Sequence, residues 1–262
     1  MRIFFKFLIL VFIGVFFLIG YLSFVGVETS KLNNVITKKV KKINNNFNIE
    51  LQKIRITLDP IKLRINVKTY GAILKNKDKI LNLESISASI SLRSYLNKDA
   101  LIENLNISTK YLEIKDLISF VRILNKDPEL YLLEKFVKKG FITSNIILDF
   151  DKKGNIKNDY KISGIIKDAK IDIFKKFKIN DLNLNFIYKK DFLEFGNTNL
   201  SLNGLNLSLN NLAVKNTNND LLVKGEVKNS DYDLSNEEIE LLIKPYFPNF
   251  QIDNLILKSE NK

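Results

Sequence analysis

Ile61-Lys62-Leu63-Arg64-Ile65-Asn66-Val67-Lys68 alternates aliphatic and polar residues without a break, and its period decides the fold. In an extended backbone successive side chains point to opposite faces, so the stretch predicts a strand with one dry and one wet face. Ile61, Leu63, Ile65 and Val67 fall on the dry side. The same signature returns at Ile86-Ser87-Ala88-Ser89-Ile90-Ser91-Leu92, at Leu182-Asn183-Leu184-Asn185-Phe186 and at Leu205-Asn206-Leu207-Ser208-Leu209. Half-wet strands of this kind belong to antiparallel sheets. Turn signals stand at Asp59-Pro60, at Asp151-Lys152-Lys153-Gly154 and in the polar run Asn216 to Asp220, and the chain reads as about a dozen strands.

Helices are few beside them. Asp116 opens one that carries Leu117, Ile118, Phe120, Val121 and Leu124. Asp127-Pro128 starts a second with Leu130, Leu133, Phe136 and Val137, closed by Gly140, which places both within 116–139. A third is expected at 235–244, stopped by Pro245. So few helices cannot cover the apolar side of so many strands. That side must meet a second sheet, close as a barrel, or curl into a groove occupied by something else. A short pattern also repeats, an Asn or Asp followed by Leu, any residue and an aliphatic: Asn104-Leu105-Asn106-Ile107, Asp181-Leu182-Asn183-Leu184, Asn211-Leu212-Ala213-Val214 and Asn254-Leu255-Ile256-Leu257. Turn-then-strand units repeated along a chain suggest a sheet built by accretion.

The N-terminus carries a different signal. From Phe7 to Val27 there is no charged residue, long enough at helical rise to cross a hydrocarbon core of ~30 Å. A cleaved signal peptide would end at small residues, but the first alanine is Ala72, so an uncleaved anchor over 1–28 is expected. Lys31, Lys38, Lys39, Lys41 and Lys42 follow the span and Arg2 and Lys6 precede it, a count that by itself leaves orientation open. Over 29–46 an amphipathic helix is expected, capped by Thr29 or Ser30, with Leu32, Val35, Ile36, Val40 and Ile43 on one face and lysines on the other. Two readings of it stand side by side: a helix on lipid headgroups gripped by Lys38, Lys39, Lys41 and Lys42, or a helix capping the end of a sheet.

Composition narrows the function classes. The chain has 262 residues, 45% hydrophobic and 27% charged, the balance of a folded protein. Its net charge of +12 rests on lysine, with arginine only at positions 2, 55, 64, 93 and 122. Lysine arrives with abundant asparagine, isoleucine and phenylalanine, a set that base-composition bias explains, whereas nucleic-acid readers favour arginine forks. No nucleic-acid partner is expected. Cysteine and histidine are both absent, which removes thiolate nucleophiles, common zinc ligands and Ser-His-Asp chemistry. Only carboxylates remain, and Asp149 with Asp151 and Glu237 with Glu238 read as turn and helix-surface charges. No catalytic residue, metal site or cofactor is assigned, and the chain reads as a non-enzyme.

The stretch from Phe47 to Ile114 resembles the start of the AsmA-like envelope proteins. Leu58-Asp59-Pro60, Leu83 to Ile90 and Tyr111 to Ile114 match, in order and spacing, that family's Leu-Asp-Pro turn, Leu-x-x-Ile-x-Ala-x-Ile pattern and Tyr-Leu-x-Ile strand. The match covers about the first third of the chain, which is short beside typical members and lacks their distinctive C-terminal portion. The resemblance implies a single-pass inner-membrane protein with its body, 47–262, in the periplasm of a Gram-negative bacterium. It further implies an apolar β-groove serving phospholipid movement or outer-membrane maintenance. The expected fold is therefore mainly β, a transmembrane helix followed by an elongated antiparallel sheet as groove or sandwich. Ile61, Leu63, Ile65, Val67, Ile86 and Ile90 are the candidates to contact acyl chains. The alternative is a membrane-tethered scaffold with a dry sandwich core that recruits envelope proteins by strand addition and carries no lipid.

Overall fold

The computed structural model describes residues 2–43, 47–76, 79–93, 102–124, 128–151, 155–157, 159–174, 176–217, 221–229 and 257–259. The protein is mainly β and antiparallel, as the alternation requires, and it divides into two units. Unit 1 comprises 1–110 and 145–160, and unit 2 comprises 111–144 and 161–262. The helix expected at 235–244 and the repeat at Asn254 lie outside the described residues, apart from a last short strand at Leu257–Ser259.

Unit 1 opens with helix α1, Arg2–Phe24, then strand β1, Val27–Thr29, and helix α2, Asn33–Ile43. Strands β2 (Phe47–Glu50), β3 (Ile54–Asp59), β4 (Arg64–Tyr70), β5 (Ile73–Asn76), β6 (Lys79–Ser91) and β7 (Ile102–Thr109) follow. Their lateral order is β1-β3-β4-β6-β7, completed by residues 145–149 at the end of a strand that begins in unit 2. Strand β6 bends this arrangement, because its first residues pair with β5, which pairs with β2, while Ser85 to Ser91 pair with β4.

The register puts mainly apolar residues on one face and mainly polar ones on the other, with Thr69 and Ile147 as exceptions. Leu58 faces Ile65 and Ile65 faces Ile90, while Ile56 faces Val67 and Val67 faces Ala88. Across the sheet Leu105 continues the row opposite both Ala88 and Leu148. On the other face the strands carry a polar ladder, in which Ser89 Oγ donates to Asn66 Oδ1 (2.8 Å), Asn104 Nδ2 to Asp149 Oδ1 (2.9 Å) and Ser108 Oγ to Asn145 Oδ1 (2.9 Å). Such cross-strand pairs fix the register as firmly as the apolar row does.

Helix α2 packs on β2. Asn33 Nδ2 donates to the carbonyls of Leu51 (3.0 Å) and Gln52 (3.1 Å), and Thr37 Oγ1 to that of Ile49 (3.2 Å). Leu32 rather than Thr29 or Ser30 sits at its N-cap, since its carbonyl accepts the first helical bond, from Ile36 N. Thr29 Oγ1 instead accepts from Lys31 N and shapes the turn before the helix. Ile49, Ile54, Ala72, Leu81 and Leu83 are buried at this end of the unit and form its closed core.

Unit 2 holds β8 (Leu112–Glu113), α3 (Ile114–Leu124), α4 (Pro128–Phe136) and most of β9 (Val137–Asp149). Then come β10 (Lys161–Ile173), β11 (Phe177–Lys189), β12 (Phe192–Leu202), β13 (Leu205–Asn216), β14 (Leu221–Asn229) and β15 (Leu257–Ser259), laid side by side in chain order from β9. From β10 to β14 neighbours pair antiparallel, and β14 pairs parallel with β15. Ile114, Ile118, Phe120, Val137, Ile142 and Leu182 are buried in the part of this unit that α3 begins.

Gly140, expected to close α4, lies inside β9 with φ of 132°. A Cβ there would stand 2.7 Å from Ala169 and 2.9 Å from Ile114 Cδ1, so the residue marks a close approach of neighbouring strand and helix, not a helix cap. At Asp181 and Asn211 the repeated Asn/Asp-Leu pattern has a different meaning from the turn it suggests. Asp168, Asp181, Asn197 and Asn211 all have φ near +50° and lie within β10, β11, β12 and β13. In β10, β11 and β13 these residues coincide with interruptions of the register. Asp and Asn tolerate left-handed backbone better than other side chains, and a bulge of this kind bends its strand. Asn183 completes one of them by accepting the Asp168 N–H at 3.1 Å and donating to the Asp181 carbonyl at 2.8 Å.

Candidate apolar face and helix junction

Four of the six residues expected to touch acyl chains come together in unit 1. Ile65, Val67, Ile86 and Ile90 lie on the apolar side of β4 and β6, each half-buried. Ile61 and Leu63 do not join them. The chain turns over 60–63: Asp59 Oδ1 accepts from Lys62 N at 3.0 Å, and Leu63 takes a left-handed φ of 50°. Ile61 is consequently 93% exposed, and β4 starts at Arg64. The alternation read from Ile61 thus runs through a turn for its first three residues, because Asp59-Pro60 opens a longer loop than a minimal hairpin needs.

Among the described residues the remaining face is bordered rather than covered. Leu58, Ile65, Val67, Ile90, Leu105 and Ile107 are all half-buried, whereas Leu81 and Leu83 at the closed end are 6% and 3% exposed. Among the described residues the substantial packing contacts of these strands are with their hydrogen-bonded neighbours and, at β3, with α1. No second sheet of unit 1 lies across them among the described residues.

The junction of α1 with β3 is built closely. Phe4–Phe24 is long and apolar enough to cross a membrane. Its last turn ends when the Tyr21 carbonyl accepts from both Val25 N (2.8 Å) and Gly26 N (3.0 Å). Gly26 has φ of 75°, and a Cβ there would strike the Ile56 carbonyl and Thr57 Cγ2, so the position requires glycine twice over. Arg55 Nε donates to the Val25 carbonyl at 2.8 Å and Arg55 Nη2 to that of Phe24 at 3.3 Å. A cation that binds the last carbonyls also complements the negative end of the helix dipole. Only Val25 and Gly26 separate α1 from β1, and β1 is paired with β3 from Val27↔Ile56 to Thr29↔Ile54.

Beside this junction lies an apolar cavity of ≈ 290 Å³, lined among others by Leu22, Val27, Ile56, Leu58, Ile65 and Leu92. It opens along the same side of the sheet as Ile90 and Val67, since Ile65 pairs with Ile90 and Ile56 with Val67. No family model, curated protein or solved structure matches the chain. The chemistry of the face therefore has to be read from its own residues.

Of the lysines expected to meet headgroups, Lys38 and Lys41 are exposed on α2, while the side chains of Lys39 and Lys42 lie outside the described residues. The helix bonds to β2 through Thr37 and to the residues just after it through Asn33, with Lys38 and Lys41 in solvent. The acidic pair near the β9 end accepts hydrogen bonds from neighbouring segments. Asp149 accepts from Asn104, and Asp151 accepts from the Asn155 backbone N–H at 2.9 Å and side-chain amide at 3.2 Å. Glu237 and Glu238 lie outside the described residues. The cavity at the helix junction is the feature that sequence reasoning missed. Its signals were Gly26 and Arg55, which alternation does not single out.

Proposed function

We propose that this chain is a membrane-anchored protein of the bacterial envelope whose apolar sheet face holds phospholipid acyl chains, with α1 in the inner membrane and the body in the periplasm. The observation that carries the reading is the face of unit 1: two adjacent rows, Leu58 with Ile65 and Ile90, and Ile56 with Val67, Ala88 and Leu105, that are apolar, half-buried and bordered by an apolar helix. A face of this kind in water is costly, and an acyl chain laid along it is removed from water at the same time. The resemblance of residues 47–114 to AsmA-like proteins supports the same assignment. Orientation follows from that resemblance, because a long domain can translocate in spite of the lysines after the span.

Mass spectrometry of lipids bound to the detergent-extracted, affinity-purified chain tests the assignment. Phospholipid retained at a fixed stoichiometry through detergent exchange is expected. A chain that loses all lipid in a mild detergent while staying folded would point to the scaffold. Alkaline phosphatase fused after Lys262 should be active, and an inactive fusion with a fluorescent cytoplasmic reporter at the same point would reverse the topology.

A further inference from the structure

We propose that the cavity between the last turn of α1 and strands β3 and β4 is the point at which a phospholipid acyl chain passes from the bilayer onto the sheet. The inference rests on the proposed function and adds a site to it. Leu22 belongs to the apolar span itself, so one wall of the cavity stands at the edge of the hydrocarbon once α1 is inserted. The opposite wall, Ile56, Leu58 and Ile65, begins two adjacent apolar rows, one from Leu58 and Ile65 to Ile90 and the other from Ile56 through Val67 and Ala88 to Leu105. An acyl chain moving by this route exchanges one apolar surrounding for another and does not cross water, the condition that makes such a transfer cheap.

The anchoring chemistry gives the route a fixed geometry. Arg55 and the Gly26 turn join the helix end to the sheet edge with no slack residue, so the cavity does not depend on how a flexible tether happens to lie. Six of the seven lining residues are apolar, Thr57 being the exception, and this selects a hydrocarbon chain over a headgroup. Continuity of the cavity with the span identifies the occupant as a chain of a bilayer lipid; an apolar segment of another protein becomes an outcome of the test.

The full chain is reconstituted in vesicles of phosphatidylethanolamine and phosphatidylglycerol containing a phosphatidylcholine with a diazirine near the end of one acyl chain. After irradiation, adducts are mapped by peptide mass spectrometry. Adducts are expected on α1, in the cavity at Leu58, Ile65 or Leu92, and farther along at Leu105 or Ile107. Two cavity-filling variants, Leu58→Trp and Leu92→Phe, are compared with the parent after circular dichroism and limited proteolysis show that each is folded. Loss of the adducts at Leu105 and Ile107 with those on α1 retained supports the route. Undiminished labelling of Leu105 and Ile107 in both folded variants overturns the route and leaves lipid binding standing. Label confined to the cavity in the parent chain also overturns it, and label on α1 alone overturns the route and the proposed function together. If either variant does not fold, Ile65→Phe replaces it. A protein crosslink at Leu58 in native membranes, with no lipid adduct there, assigns the cavity to a protein segment and overturns the proposal.

Discussion

Strand β6 passes through two environments. In its first part, under the end closed by α2, Leu81 and Leu83 are buried while Asn82 and Glu84 are exposed, so burial follows the alternation. From Ser85 to Ser91 the alternation of apolar and polar residues is at least as regular, yet every residue on both faces is half-buried. Identical patterning thus serves a face that is packed and a face that, among the described residues, is only bordered. Period two says which side is dry in principle; it does not say what lies against that side.

The largest expected effects come from placing a charge on each side of this divide. Leu83→Asp puts a carboxylate where Leu83 is 3% exposed, in the closed core. It should cost several kcal/mol, a large share of the ~5–15 kcal/mol of a whole domain, and leave little folded protein. Ile65→Asp, on the half-buried face, should cost only ~1–2 kcal/mol, the fraction of a full isoleucine burial that this residue holds. Urea unfolding of the detergent-solubilised chain, followed by circular dichroism, measures both. Equal losses from the two substitutions would mean that the face of β4 is as closed as the core under α2, and the comparison would fail.

The second effect sharpens the contrast within unit 2, where two glycines, in β9 and β12, have opposite surroundings. At Gly140, φ of 132° and Ala169 at 2.7 Å leave no place for a side chain. Gly140→Val should lower stability by about 2–3 kcal/mol. At Gly196 nothing stands within 4 Å of a Cβ. Gly196→Val should be neutral or stabilising by about 0.5–1 kcal/mol, since valine loses less entropy in a strand. Thermal melts of the two variants beside the parent chain give the difference directly.

A good part of the fold is legible in the sequence, and the failures have specific causes. Alternation located β4, β6, β11 and β13 and predicted their antiparallel pairing, because a half-wet strand leaves a periodic trace. It overran at Ile61 and Leu63, since a turn that happens to alternate looks the same as a strand until the Asp59 side chain is seen accepting from Lys62. Gly140 looked like a helix stop because glycine after an apolar helical run usually is one; its partner Ala169 is distant in sequence and invisible there. The Asn/Asp-Leu repeat was visible, but its role as a mid-strand bulge at Asp181 and Asn211 depends on the register of adjacent strands. Of the candidate site, four residues were found from periodicity, while the cavity at the end of α1 is made by contacts between segments about thirty residues apart, such as Arg55 with Val25.

The left-handed positions separate strand bending from strand pairing with a smaller effect. Asn211 has φ of 51° and is exposed, so its side chain contributes little packing and its backbone contributes most of the requirement. Asn211→Ala should cost about 1 kcal/mol from the left-handed conformation, and Asn211→Gly should recover most of it. If alanine and glycine behave alike in urea unfolding, the bulge in β13 does not impose the strain that its φ implies.

The smallest effect is expected on the wet side of the same strands that carry the apolar row. Ser89 is the neighbour of Ile90 in β6 but points to the other face, where its hydroxyl donates to Asn66 Oδ1 at 2.8 Å and is only partly buried. Ser89→Ala removes one partly exposed hydrogen bond and leaves Asn66 open to water, so the loss should be about 0.5–1 kcal/mol. If the two faces have separate functions, this variant should also retain the parent's acyl-chain labelling at Leu105, while Ile90→Asp, one residue along, should reduce it by placing a charge on the apolar face beside the row that holds Leu105. Reduced labelling in a folded Ser89→Ala chain would tie lipid contact to the polar ladder and remove the distinction between the faces on which the proposed function rests.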